Sequence, residues 1–177
     1  MNINRKTLKM AVAAVTAGAY AALTVALAPI SYGAVQFRVS EALTVLPFLM
    51  PCMVWGLWAG CVLANLFTGN LFDIVFGSLA TLLAALCTAY FGRRGNTVKN
   101  RLLGCLMPVL FNAVIIGAVI TRGYEGLVIR EHPGVYGFNA LTVGLGEAGV
   151  LYLIGYTLLR QLPKIRRFRA FVDRVNR

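Results

Sequence analysis

The sequence predicts an all-α integral membrane protein of six transmembrane helices with both termini cytoplasmic. Three observations carry this. Of 177 residues, 59% are hydrophobic and only 13% are charged, and the mean hydropathy is +0.74. An average globular chain carries about 25% charged residues. No soluble fold of this size hides so much apolar surface, so lipid must be the solvent for most of the chain. The second observation is the set of uncharged runs. Residues 10–30, 42–72, 74–92 and 102–121 hold no charged side chain, and 138–159 holds only Glu147. A span needs about 20 apolar residues. The third is where the basic residues fall. Arg5, Lys6 and Lys9 open the chain, Arg93, Arg94, Lys99 and Arg101 sit mid-chain, and seven more run from Arg160 to Arg177. They flank apolar runs, as the positive-inside rule requires. That reading accounts for the net charge of +11 better than a nucleic-acid partner does.

Helix 1 falls near 9–29. A cleaved leader is the alternative, since Ala26-Leu27-Ala28 resembles a cleavage site. The apolar run exceeds a leader's 7–15 residues, however, and Pro29 would hinder the cut. The run 42–72 is too long for one helix. Pro47 and Pro51 interrupt it, because proline removes a donor and disfavours helix just before it. Helices 2 and 3 are therefore placed near 39–50 and 53–67. Helices 4, 5 and 6 follow near 73–91, 101–121 and 139–160. Six spans put every basic cluster on one side, whereas five would strand one cluster outside. Residues 1–162 then form a single membrane domain. The connection 68–70 and the longest loop, 122–137, lie outside. The tail 163–177 repeats Ile165, Phe168, Phe171 or Val172, and Val175 at helical spacing with arginines between. This suits an amphipathic helix on the cytoplasmic leaflet, or equally a docking surface.

Cys52, Cys61, Cys87 and Cys105 lie in apolar segments without C-x-x-C spacing, and His132 is the sole histidine. Neither zinc ligation nor a disulfide framework is expected. No phosphate-binding G-x-x-x-x-G-K-[ST], H-E-x-x-H or G-x-S-x-G occurs. The chain therefore should not hold ATP itself or act as a protease or hydrolase, and no cofactor or metal is expected.

The chemistry concentrates in the few acids. Glu41, Asp73 and Glu147 lie within or beside apolar runs, while Glu125, Glu131 and Asp173 do not. An ionisable group in lipid faces a cavity or a partner. Glu147 should lie roughly 12 Å inside the outer end of helix 6. Asn65, Asn112 and Asn139 join the same layer, with donors and acceptors suited to a heterocycle. Tyr32, Phe37, Tyr136 and Phe138 either stack on a flat ring or form the interfacial belt. Arg38 and Glu41, spaced i,i+3, are either an ion pair or the lip of a pocket. Asp73 is either a ligand contact or a cap of helix 4. In helix 1, Ala13, Ala14, Ala17, Gly18 and Ala21 make small-residue rows, one suited to packing inside the fold and the other to a partner.

GAVQFRVSEAL at 33–43, ANLF at 64–67, GNLFDIVFGSLATLLAA at 69–85 and GE at 146–147 resemble the QueT family of queuosine-precursor transporters. These are substrate-capturing S components of energy-coupling factor (ECF) transporters. The resemblance spans nearly the whole chain. It implies a six-helix bundle in a bacterial cytoplasmic membrane. Such a subunit binds its ligand outside and associates with a transmembrane coupling protein and two ATPases. It then topples to release the ligand inside. Small residues on helix 1 would meet the coupling protein. The ligand would be queuine or an aminomethyl- or cyano-deazaguanine. A deazaguanine offers two adjacent N–H donors, which a carboxylate accepts as a fork. Glu147 is expected to read that edge, and Glu41 or Asp73 to offset an amine. Arg38, Asn65, Asn112, Asn139 and Phe37 complete the expected site. The rival readings are an S component for another vitamin or purine-like micronutrient and a small helical channel.

Overall fold

The computed structural model describes residues 4–31, 37–67 and 69–176. Helix α1 spans Arg5–Ala26, and a short turn of helix, Ala28–Ser31, follows it. The Asn4 side chain caps α1 by accepting from the Lys6 N–H at 3.1 Å. Then come α2 (Val39–Phe48), α3 (Met53–Leu66), α4 (Asp73–Arg93), α5 (Val98–Tyr124), α6 (Pro133–Lys164) and α7 (Arg166–Asn176). No strand occurs among the described residues. Helices α1, α4, α5 and α6 are long and apolar enough to cross a membrane, and α2 and α3 are shorter apolar helices.

Several boundaries follow from local chemistry. Thr97 caps α5 by accepting from the Asn100 N–H at 3.2 Å. Pro108 lies inside α5 and cannot donate to the Gly104 carbonyl one turn back. The Thr88 hydroxyl of α4 donates to that carbonyl instead, at 3.0 Å. In lipid a freed carbonyl needs such a substitute. Helix α2 contains Pro47 and is a 3₁₀ helix throughout, a form that seldom runs beyond a few residues. The Thr44 hydroxyl helps hold its first turn by donating to the Glu41 carbonyl at 2.6 Å. Helix α6 begins at Pro133, six residues before the expected start at Asn139. Proline fits the first helical position, where no N–H is needed. The expected outer loop 122–137 shrinks accordingly to 125–132.

Close backbone packing sets the frame. A Cβ at Gly56 would stand 2.3 Å from the Ala13 carbonyl oxygen, and one at Gly60 would stand 2.7 Å from that of Ala17. Gly56-Leu-Trp-Ala-Gly60 is thus a small-xxx-small row against which α1 lies backbone to backbone. This corrects part of the expected partner surface. Ala13 and Ala17 face α3, and Ala21 packs beside the core formed by Tyr20, Val54, Leu57, Cys61 and Ala85. Ala14 and Gly18 remain exposed on the opposite face. Gly92 makes a similar contact, its Cβ position lying 2.1 Å from the Phe48 carbonyl oxygen.

The tail also differs from expectation. Helix α7 does not keep its apolar stripe free for a leaflet or a partner. Val175 is buried with Val12, Met50 and Met53, and Phe168 and Val172 pack against the same cluster. The Asn176 amide donates to the Leu49 carbonyl at 2.8 Å, satisfying the chain end of α2. Phe171 and Ile165 stay exposed, as do Arg166, Arg167, Arg169 and Arg174.

Candidate functional site: a buried carboxylate cluster

Six helices, α1 to α6, deliver polar groups to the interior. Glu41 sits in the first turn of α2 with no exposed surface, and Glu147 on α6 is 2% exposed. Because α6 starts early, Glu147 lies about 21 Å along it rather than 12 Å. The Asn112 amide of α5 donates to Glu147 Oε1 at 2.5 Å. The Tyr20 hydroxyl of α1 donates to Glu41 Oε1. Glu41 and Glu147 lie within electrostatic reach of one another, and the Arg38 guanidinium acts on both. Arg38 is itself buried and donates from Nε to the Ser31 carbonyl at 3.2 Å. Phe37, half-exposed, rests on α6 at Gly149. The expected residues Arg38, Glu41, Asn112 and Glu147 therefore form one cluster, with Phe37 beside it.

Asp73 and Asn65 form an adjoining group. Asp73 does not cap α4; the Asn70 side chain does so, accepting from the Phe72 N–H at 2.9 Å. The Asp73 carboxylate accepts instead from the Tyr124 hydroxyl through Oδ2, and the charge of Arg38 reaches that tyrosine. The Asn65 amide donates to the Asp73 carbonyl at 2.8 Å. That carbonyl opens a π turn, Asp73–Gly77. A second π turn, Ile120–Tyr124, presents Tyr124 and Thr121.

Asn139 lies apart. Its amide donates to Thr121 Oγ1 and to Glu125 Oε2, both at 3.0 Å. Both donors are committed to tying α6 to α5, so Asn139 serves the frame rather than the cluster. Tyr32 lies outside the described residues. Tyr136 donates to the Val114 carbonyl at 3.4 Å and lines a groove of about 540 Å³ with Phe72, Phe76 and Val119. Arg122 is the one charged residue lining that groove, so its chemistry does not suit a polar heterocycle. Phe138 is 66% exposed and stacks on nothing in the cluster.

The charge balance is what gives the cluster its character. Three carboxylates, Glu41, Asp73 and Glu147, are buried with one cation, Arg38, among the described residues. Glu41 Oε2, Glu147 Oε2 and Asp73 Oδ1 are buried without a hydrogen-bond partner. By insertion scales, a carboxylate at mid-membrane costs about 2.5–3.5 kcal/mol. A site holding several unmatched acceptors at that cost is complementary to a ligand that brings donors and positive charge.

Comparison with known proteins agrees with a membrane transport role. Residues 10–164 match the family described as "QueT transporter". The chain belongs to the QueT transporter family. A relative named "Queuosine precursor transporter QueT", from Lactococcus lactis subsp. cremoris (strain MG1363), is 35% identical over 165 residues. The alignment covers 90% of this chain and 94% of the relative. No solved structure matches. Family membership and the long apolar helices together make this QueT family member a multi-pass membrane protein.

Two residues of the cluster escape a sequence reading centred on acids and amides, Tyr20 and Tyr124. A signal for Tyr20 exists. Thr16, Tyr20 and Thr24 recur every fourth residue along an otherwise apolar helix, and all three are buried. Tyr124 leaves no such mark, because a tyrosine at a helix end reads as interfacial belt.

Proposed function

We propose that this chain is the substrate-capturing S component of an ECF-type transporter that imports a queuosine precursor. The ligand is an aminomethyl- or cyano-deazaguanine, or queuine. The observation that carries the reading is the surplus of buried acceptors, three carboxylates against one arginine, with three carboxylate oxygens unmatched. In this reading Glu147 Oε2 accepts from the guanine-like edge while Asn112 holds Oε1. Glu41 or Asp73 offsets the amine of an aminomethyl ligand, and Arg38 limits repulsion between the carboxylates. The likeness to a relative named as a queuosine-precursor transporter supports the same ligand class.

The remaining parts of the proposal follow from topology. Helices α2 and α3 complete six spans in a bacterial cytoplasmic membrane, with both termini and all basic clusters inside. The exposed Ala14 and Gly18 face of α1 meets a transmembrane coupling protein, and two partner ATPases supply the energy. The chain itself performs no catalysis. Uptake of labelled aminomethyl-deazaguanine by cells tests this. Accumulation is expected only when the chain is expressed with a coupling protein and ATPases. Full accumulation in cells lacking any such module would contradict the assignment.

A further inference from the structure

The Tyr20 hydroxyl belongs to the site in a way its surroundings do not explain. Its ring is fully buried among Val54, Leu57, Cys61, Ala64, Ala85 and Ala89, an apolar cluster that a phenylalanine would fill equally well. A buried hydroxyl costs about 1–3 kcal/mol when it lacks a partner. The hydroxyl here reaches past that cluster to Glu41 Oε1. One turn further along α1, the hydroxyls of Thr24 and Ser40 are hydrogen-bonded at 2.6 Å, and the Thr24 hydroxyl also bonds the Tyr20 carbonyl at 2.8 Å. Ser40 and Glu41 are consecutive. Two side chains four residues apart on α1 thus grip two adjacent residues of α2.

A glutamate side chain has three rotatable bonds and sits here within the field of Arg38. Tyr20 engages one oxygen from the opposite element, and the other, Oε2, stays unmatched. We propose that Tyr20 is a positioning residue of the ligand site: it fixes Glu41 so that Oε2 is presented to a cationic amine on the ligand. This rests on the functional reading above and selects Glu41, not Asp73, as the amine's counter-charge. Tyr20 therefore favours the aminomethyl ligand over its uncharged cyano counterpart.

The test is a double-mutant cycle in purified full-length protein, titrated with aminomethyl- and cyano-deazaguanine. Tyr20→Phe should weaken the aminomethyl ligand about tenfold and the cyano ligand much less, as loss of one charge-assisted hydrogen bond predicts. In a Glu41→Gln background the same change should have no further effect on the amine, because the charge that Tyr20 positions is gone. Equal losses for both ligands, or additive losses in the double variant, would mark Tyr20 as a packing residue and overturn the assignment. Thermal unfolding without ligand shows whether each variant is folded. If Tyr20→Phe is not, Ser40→Ala reports on the second grip. About a threefold loss confined to the aminomethyl ligand supports the proposal. A loss shared by both ligands overturns it. Wild-type protein that binds neither ligand removes the functional reading and the inference together. Wild-type binding with Tyr20→Phe unchanged removes the inference alone.

Discussion

Glu147→Gln is expected to weaken deazaguanine binding by at least about thirtyfold, because truncating one partner of a buried charged hydrogen-bond pair costs about 2–5 kcal/mol. The substitution keeps shape and volume. It replaces an acceptor-only carboxylate with an amide that carries its own donors. Oε1 already takes the Asn112 amide, so the group that changes is the one left for the ligand. Two ligand N–H groups would then face an amide, and at least one would be buried unpaired. Stability should not fall in step. The new amide can still accept from Asn112, and Glu41 remains a counter-charge for Arg38. Titration and thermal unfolding of the same preparation separate the two effects. A variant that unfolds at the wild-type temperature yet binds no ligand is the expected pattern.

Gly56→Val is expected to disrupt folding. A Cβ there meets the Ala13 carbonyl oxygen at 2.3 Å, with the Ala13 carbonyl carbon and Cα both at 2.9 Å. These are backbone atoms on the neighbouring helix, and none can rotate aside. Overpacking usually costs 1–3 kcal/mol where side chains can adjust. Here α1 must leave α3, so the cost should exceed about 3 kcal/mol. The seam also carries Tyr20, so the carboxylate cluster should be lost with it. Gly18→Val on the outer face of α1 is the control. Nothing lies within 4 Å of a Cβ at Gly18, and folding should be unchanged. The yield of monodisperse protein and its thermal unfolding check both.

Much of this architecture is legible in the sequence because lipid imposes simple rules. Long uncharged runs marked α1, α4, α5 and α6, and Pro47 and Pro51 marked the break between α2 and α3. The 3₁₀ form of α2 was not legible, since hydropathy reports burial and not hydrogen-bond register. The start of α6 is hidden because the apolar run opens only at Phe138, although Pro133 at the first helical position is a start signal. The stripe on α7 was visible, but periodicity shows a face and not what covers it. The same holds for α1. Two small-residue rows were apparent, and only the Gly56 and Gly60 row on α3 decides which of them turns inward.

The site divides along similar lines. Glu41, Asp73 and Glu147 stood out because acids in apolar runs are expensive. Their grouping with Arg38 and Asn112 depends on how α2, α5 and α6 pack, which no local pattern encodes. Asn139 looked like its neighbours in sequence, but its partner Glu125 sits in the loop between α5 and α6. Tyr20 and Tyr124 do not stand out in the same way, because a core and an interface readily account for a tyrosine.

The central claim is that a donor-rich, deazaguanine ligand occupies this acceptor-rich cluster. Calorimetric titration of the purified protein in detergent tests it most directly, using queuine and the aminomethyl and cyano precursors, with guanine and thiamin as controls. Tight binding of at least one precursor, with guanine and thiamin excluded, is the result predicted here. A folded protein that binds none of the three deazaguanines would contradict the account and leave the unmatched oxygens of Glu41 and Glu147 in need of another ligand.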